Sequence, residues 1–487
     1  MRRWTAGTIG LSAALVVTAC TGGSPAATPS PTPSPTQPTT GTSAGLDADT
    51  DTTAPTPGGG GTAVVPTTVA TVPATAEEPG YVIAAPDPIP VDGARPTWLD
   101  DGPTRPALTA TVHVDCDTGD DDAPGTEAAP LRTLAAVGVP EAGTDVVIVG
   151  TCVGQQLRVT WSGTAADPVV VDGGDALLRS TGADIGRGAI IEAEGDHVQV
   201  WGVRIEGVPQ ETQTTGRACP GGDGTYQTGY VLGVRLRGSD SVVARADISG
   251  TYAGVFVTDG ADRALITRSV IHDNDILTTG RDGVDGDADD AGAFGVVLHG
   301  SWAEVSWNHF HDNRACSPDY FVDGSAVEIF NGSANTVHHN LSVDDHVFTE
   351  LGRTGLGPET DTPMIGNVFH ANRYITRHGG HDEGTPSGER FLVTRGEGRL
   401  GPVIATVATD NRVTILGSAG DAFVCIDCTA DTLALGGNHL AVTRHRIWYG
   451  ADAGGTYAVV APDAGTSDGA VDDDDVVEPA WPDLPGA

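Results

Sequence analysis

The chain contains no lysine. Its 26 basic residues are all arginine, set against 65 aspartates and glutamates in 487 residues, for a formal net charge of -39 and a pI of about 4.4. That balance makes nucleic acid and anionic lipid headgroups poor partners. It also favours a neutral or weakly charged ligand over a strongly anionic one. Beyond the first residues no run is apolar enough to span a bilayer, which takes ~20 residues of helix. No Gly-x-Ser-x-Gly elbow lies between a strand and a helix, and there is no phosphate-cradling loop or nucleotide fingerprint. Esterase, kinase and dehydrogenase chemistry therefore find no support.

What is present begins with an export signal. Arg2 and Arg3 precede a short apolar run from Ile9 to Ala19, which ends in VTAC at Cys20. This segment resembles a bacterial lipoprotein signal. The resemblance implies that residues 1–19 are removed and that Cys20 carries the lipid. The chain is then expected on the extracellular face of the cell membrane, touching it only through that lipid, and as a monomer. Residues 20–106 are mostly Thr, Pro, Ala, Gly and Ser. They bury too little apolar surface to offset their ordering entropy and read as an extended stalk. The acidic stretch 462–487 reads as a disordered tail, leaving 107–461 as the folded domain. Six further cysteines allow fifteen pairings. Chain order and loop placement favour Cys116–Cys152, Cys219–Cys316 and Cys425–Cys428.

Between about 146 and 450 one short phrase recurs: an apolar-x-apolar triplet, a Gly-centred turn, a second alternation, then Asn, Asp or Gly. GVRLRGSDSVVARADISG, GVFVTDGADRALITRSVIHDN, FGVVLHGSWAEVSWNHFHDN and SAVEIFNGSANTVHHNLSVDD are four copies. Alternation in such short segments indicates strands. A fixed repeat indicates units that are stable only when stacked. Aligning the second strands puts Gly202, Arg245, Arg268, Asn308, Asn340 and Asn367 in one column, with spacings of 43, 23, 40, 32 and 27. One rung is thus about 22 residues, the excess being inserted loop. The fold class is all-β, a single-stranded right-handed parallel β-helix of the pectin-lyase-like solenoid kind. Asparagines at one turn suit a ladder of buried amides.

The segment HVDCDTGDDDAPGTEAAPLRTLAAV, followed by DVVIVGTCVG and PVVVDGG, resembles the entry rungs of secreted β-helix polysaccharide lyases. VEIFNGSANTVHHN is loosely similar to a rung of the alginate lyase and chondroitinase family. In that family acidic residues bind calcium and a lysine is the base. The resemblance implies a calcium-assisted lyase with Glu328 at an acidic position, while the lysine has no counterpart here.

Inserts at about 208–230, 275–293, 314–324 and 352–361 fall at one corner and are expected to wall a groove. Alternation points Arg235, Phe256, Val297 and Glu328 outward. Steps of 22 from Glu328 and ten from the Asn column add Glu350 and Arg377. Two glutamates on adjacent rungs repel unless a cation, a proton or an arginine intervenes. Glu328, Glu350 and Arg377 are therefore the candidate catalytic group, with Arg235, Phe256, His299, Phe330 and His378 lining the groove. RDGVDGDADD supplies Asp282, Asp285, Asp287, Asp289 and Asp290 as a candidate calcium loop, short of the full twelve-residue pattern. Cleavage of an extracellular polysaccharide by paired carboxylates leads. A calcium-assisted lyase and non-catalytic glycan binding are the alternatives.

Overall fold

The computed structural model describes residues 104–139, 141–174, 176–181, 188–208, 231–282, 288–317, 321–353, 363–376, 388–396, 401–415, 420–428, 432–442, 445–450 and 467–468. Cys20, Asp285, Asp287, Arg377, His378 and Cys219 lie outside these residues, as do the signal and the stalk to residue 103. Among the described residues the one helix is a 3-10 turn, Leu134–Val137, and no helix is long and apolar enough to cross a membrane.

Three long parallel sheets run the length of the domain, and the chain visits each once per turn. The ten-stranded front sheet carries, among others, Gly188–Ala193, Val231–Leu236, Ala253–Val257, Phe294–Leu298, Ser325–Phe330, Val347–Gly352 and Arg390–Arg395. The flank and rear sheets have eleven strands each, most of three or four residues. This is the right-handed parallel β-helix that the repeat implies.

Each front strand departs from simple alternation at its middle. Two successive residues turn inward: Ile190 and Ile191, Ala326 and Val327, Phe391 and Leu392. In three consecutive rungs the first of these is glycine, at 233, 254 and 295. A Cβ on Gly254 would stand 2.5 Å from Ile271 Cγ2, and one on Gly295 would stand 2.7 Å from the Phe310 ring. Bulky rear-sheet side chains thus fill the space that a side chain there would need. Toward the C-terminal end the same volume is filled by Phe348, Phe391 and Phe423, with ring centroids 4.7 and 5.6 Å apart in succession.

Three asparagine ladders close the corners. One runs Asn308, Asn340, Asn372, Asn411, Asn438, each side-chain oxygen accepting from the backbone N–H of the residue one rung before. A second joins Asn335 to Asn367, and a third joins Asn274, Asn313 and Asp345. The single column read from the sequence is corrected accordingly. Gly202, Arg245 and Arg268 occupy the left-handed position just before the first ladder, whereas Asn367 belongs to the second. A one-residue slip was invisible because left-handed turns accept both Gly and polar residues.

Three of the inserts precede front strands, and the fourth follows the front strand Val347–Gly352. Two of them form hairpins, Leu277–Asp282 with Ala288–Gly292 and Ala315–Ser317 with Phe321–Asp323. The fourth rung carries its excess in two places, after Gly352 and again between Thr376 and Arg390. Cys116–Cys152 and Cys425–Cys428 are disulfides with Cα–Cα distances of 5.1 and 5.6 Å. Ser467–Asp468, inside the stretch read as tail, pairs with His439–Leu440 on the rear sheet.

Candidate functional site

Strand register fixes the outward column of the front sheet. It runs Arg158, Glu192, Arg235, Phe256, Val297, Glu328, Glu350, Val393 and Val424. Five members, from Arg235 to Glu350, stand as the alternation and the 22-residue step place them. The sixth does not: Val393, and not Arg377, lies beside Glu350. A fixed ten-residue step from an asparagine in the wrong ladder had missed the second excess, residues 377–389. Thr376, the neighbour of Arg377, closes a rear-sheet strand.

The arginine that meets the carboxylates is Arg395, two residues beyond Val393 and on the same face. It forms a short ion pair with Glu350, whose side chain is 28% exposed. Sequence reasoning missed it. The signal that could have found it was the FLVTR alternation at 391–395.

Glu328 points outward from its strand yet is only 5% exposed. This corrects the expectation of an open surface carboxylate. The hairpin insert ending at Asp323 leads straight into its strand, and buried Val297 lies one rung before it. Burial drives the Glu328 carboxyl well above the usual carboxylate range, and the charges of Glu350 and Asp323 push in the same direction. Arg395 opposes this only weakly. The two glutamates, alike in sequence, therefore stand in unlike states: Glu328 held as the acid, Glu350 paired with a guanidinium.

Along the column toward the N-terminus the face changes character. Phe256 and His299 meet edge to face with centroids 4.9 Å apart. Burial lowers the His299 pKa, opposed by Asp259, so the imidazole is held neutral. Phe330, half-buried, closes its strand opposite Gly352. Arg235 is not a free groove cation, since it pairs with buried Glu192 at 2.6 Å, as does Arg237 at 2.8 Å. Glu192 had gone unnoticed because its rung precedes the first clear repeat.

The candidate calcium loop divides between described and undescribed residues. Asp282, Asp289 and Asp290 are on the strands of the hairpin before Phe294, with Asp282 opposite Ala288 and Asp290 opposite Thr279. Near the glutamates the described side chains do not gather three ligand atoms, short of the ~6–8 oxygens that calcium takes. Among the described residues a single group brings three ligand atoms within 4.8 Å of one another. It is His272, Asp273 and His311, not Asp323, Glu328 and Glu350.

No protein-family model matches the chain, and no curated protein does. Among solved structures it is similar to an alginate lyase from Paenibacillus sp. str. FPU-7, with 13% identity and a TM-score of 0.45 over 70% of this chain and 99% of that one. It is also similar to a GH136 lacto-N-biosidase from Eubacterium ramulus, at 10% and 0.39 over 68% of each chain. A third is a pectate lyase, Pel9A, at 13% and 0.36 over 68% and 78%. Likeness at this level decides nothing about chemistry, and the fold rests on the strand register.

Proposed function

We propose that this protein is an extracellular glycoside hydrolase acting on a neutral or weakly charged polysaccharide through Glu328 and Glu350. One observation carries the reading. Two carboxyls in register on adjacent rungs are driven apart in state, one toward its protonated form by burial and the other into an arginine pair. Glu328 then protonates the glycosidic oxygen as the bond breaks, and Glu350 faces the positive charge that develops at the anomeric carbon. Adjacent strands lie ~4.8 Å apart, which suits the ~5–5.5 Å carboxyl separation of retaining enzymes better than the wider inverting one. Glu350 is accordingly the nucleophile, and Glu328 acts next as the base that activates water. Calcium enters no step, since the described donors near the glutamates do not build its cage.

The substrate's charge follows from the arginines. Arg158 and Arg395 on this face each pair with a glutamate of their own, and Arg235 and Arg237 share Glu192, so four guanidinium charges are offset to a single one that could meet a polyuronate. Phe256 and Phe330 offer apolar surface for sugar faces. A panel of neutral and uronic polysaccharides, scored for reducing ends and for the ultraviolet absorbance of unsaturated uronates, tests the reading. Reducing ends without absorbance, unchanged by a chelator, are expected from a neutral glycan. Chelator-sensitive absorbance from a polyuronate would instead establish elimination, and silence across the panel would favour binding alone.

The Cys20 anchor is part of the same proposal, placing the domain on a stalk at the cell surface. Cys20→Ser is expected to shift the protein from the membrane fraction to the medium. Unchanged partition in a detergent phase-separation assay would remove the lipid from the account.

A further inference from the structure

Away from the glutamates, the rear sheet repeats a His-Asp-Asn phrase in two consecutive rungs, 272–274 and 311–313. Register places His272 directly beside His311, and their rings stack at 4.5 Å with 17° between planes. His272 Nδ1 lies 2.6 Å from Asp273 Oδ2, and its Nε2 lies 3.1 Å from Asp247 Oδ1. His311 Nδ1 lies 3.0 Å from Asp312 Oδ2. His309, on the same strand as His311, sits at 4.9 Å from its ring. All of these side chains except buried His309 are partly open to solvent, so an ion has a path in.

We propose that His272, Asp273 and His311 form a binding site for one divalent transition-metal ion of the zinc class. The three ligand atoms already lie within 4.8 Å of one another, and drawing them to ~2.0–2.2 Å from a common centre requires the two stacked rings to turn out of parallel so that their lone pairs converge. Two imidazoles and one carboxylate select zinc, nickel or copper over calcium or magnesium, which take oxygen ligands. Carboxylates on the remaining ring nitrogens are the supports that orient metal-bound histidines. Asp312 serves His311 in this way, and Asp247 serves His272. In the metal-free chain His272 Nδ1 and Asp273 Oδ2 share a hydrogen bond, and an ion bound between them takes the place of its proton, which is released, while the contact of Nε2 with Asp247 is kept.

The position gives the site a consequence. Asp273 and Asp312 both occupy left-handed turns at the rear-to-front corner, and the two hairpin inserts begin at Leu277 and Ala315 just beyond them. An ion shared between the two rungs ties together the roots of the two hairpins that lead into front-sheet strands.

The test is calorimetric titration of chelator-treated protein with zinc, and separately with calcium, together with thermal melting. The parent is expected to show a saturable zinc site, no comparable calcium site, and a melting temperature that rises with zinc. His272→Gln with His311→Gln should abolish that site, and Asp312→Asn should weaken it ~10–100-fold. His338→Gln with His370→Gln, on the flank sheet, should leave it intact. Zinc binding that persists undiminished in the His272/His311 variant overturns the proposal, as does equal binding of calcium. If the double variant fails to fold, Asp273→Asn and Asp312→Asn decide, since each keeps side-chain size. None of these readouts depends on glycan cleavage, so the outcome is independent of the assignment of Glu328 and Glu350.

Discussion

Glu328→Gln should lose at least about a hundredfold in turnover, within the ~10²–10⁴-fold range that a general acid contributes. Its KM should change little. An amide keeps the shape of the carboxyl but has no proton to give the leaving group, so kcat and kcat/KM should fall together. Glu350→Gln should fall at least as far, because a charge opposite the anomeric carbon is needed only in the transition state. The two variants should part company in stability. Glu328 is buried with its pKa raised, so its favourable contribution is complete below its unfolded pKa. That contribution fades as pH rises from there through the raised folded value. Glutamine at 328 should therefore flatten the fall in melting temperature on the alkaline side, while glutamine at 350 strands Arg395 and should lower it. The parent's kcat/KM should likewise decline as pH climbs through the Glu328 transition, and that limb should vanish in Glu328→Gln. Parent-level cleavage by both variants at any pH between about 5 and 8, where proteins are ordinarily most stable, would end the assignment.

The largest loss of stability is expected from Asn340→Ala. Its side-chain oxygen accepts from the backbone N–H and the amide of Asn308, at 2.9 and 3.1 Å. Its amide donates to Val305 O at 2.8 Å and to the Asn372 oxygen at 3.0 Å. Alanine removes all four bonds and takes the side-chain acceptor from the buried Asn308 N–H, while the Asn308 amide keeps Ile266 O and the Asn372 oxygen keeps the backbone N–H of residue 340. At ~1–3 kcal/mol for the orphaned N–H and ~1 kcal/mol for each of the other bonds lost, a loss of about 3 kcal/mol or more is expected in denaturant unfolding. A loss below ~1 kcal/mol would mean that water enters the corner and satisfies the freed groups. Asp345 offers the opposite result in the same architecture. It takes the place of an asparagine in the third ladder, and burial pushes its pKa up to about 8 against hydrogen bonds from Ser342 and Asn313. Its stabilising share is thus lost as pH rises toward and past 8. Asp345→Asn should keep the ladder and gain stability on the alkaline side.

The sequence alone determined the path of the chain through this architecture. Alternation, Gly-centred turns and a rung of about 22 residues left a stacked parallel solenoid as the arrangement that buries the inward-facing Val, Ile and Leu of the repeat. Period-two geometry then sent Glu328 and Glu350 to one outward column, because a step of one whole rung preserves the face. Local rules carry this far because each rung is decided by its own residues and its immediate neighbours. Three things needed the tertiary structure. The exact corner was one, since Gly202, Arg268 and Asn308 all satisfy a turn but differ by one residue in the ladder. The partner of Glu350 was another, because insert length is not periodic and only the folded register puts Val393 beside Glu350 and brings Arg395 to it. The last was the state of Glu328. Alternation says which way a side chain points but not what lies over it, and here burial to 5% exposure removes the water that would have kept it ionised.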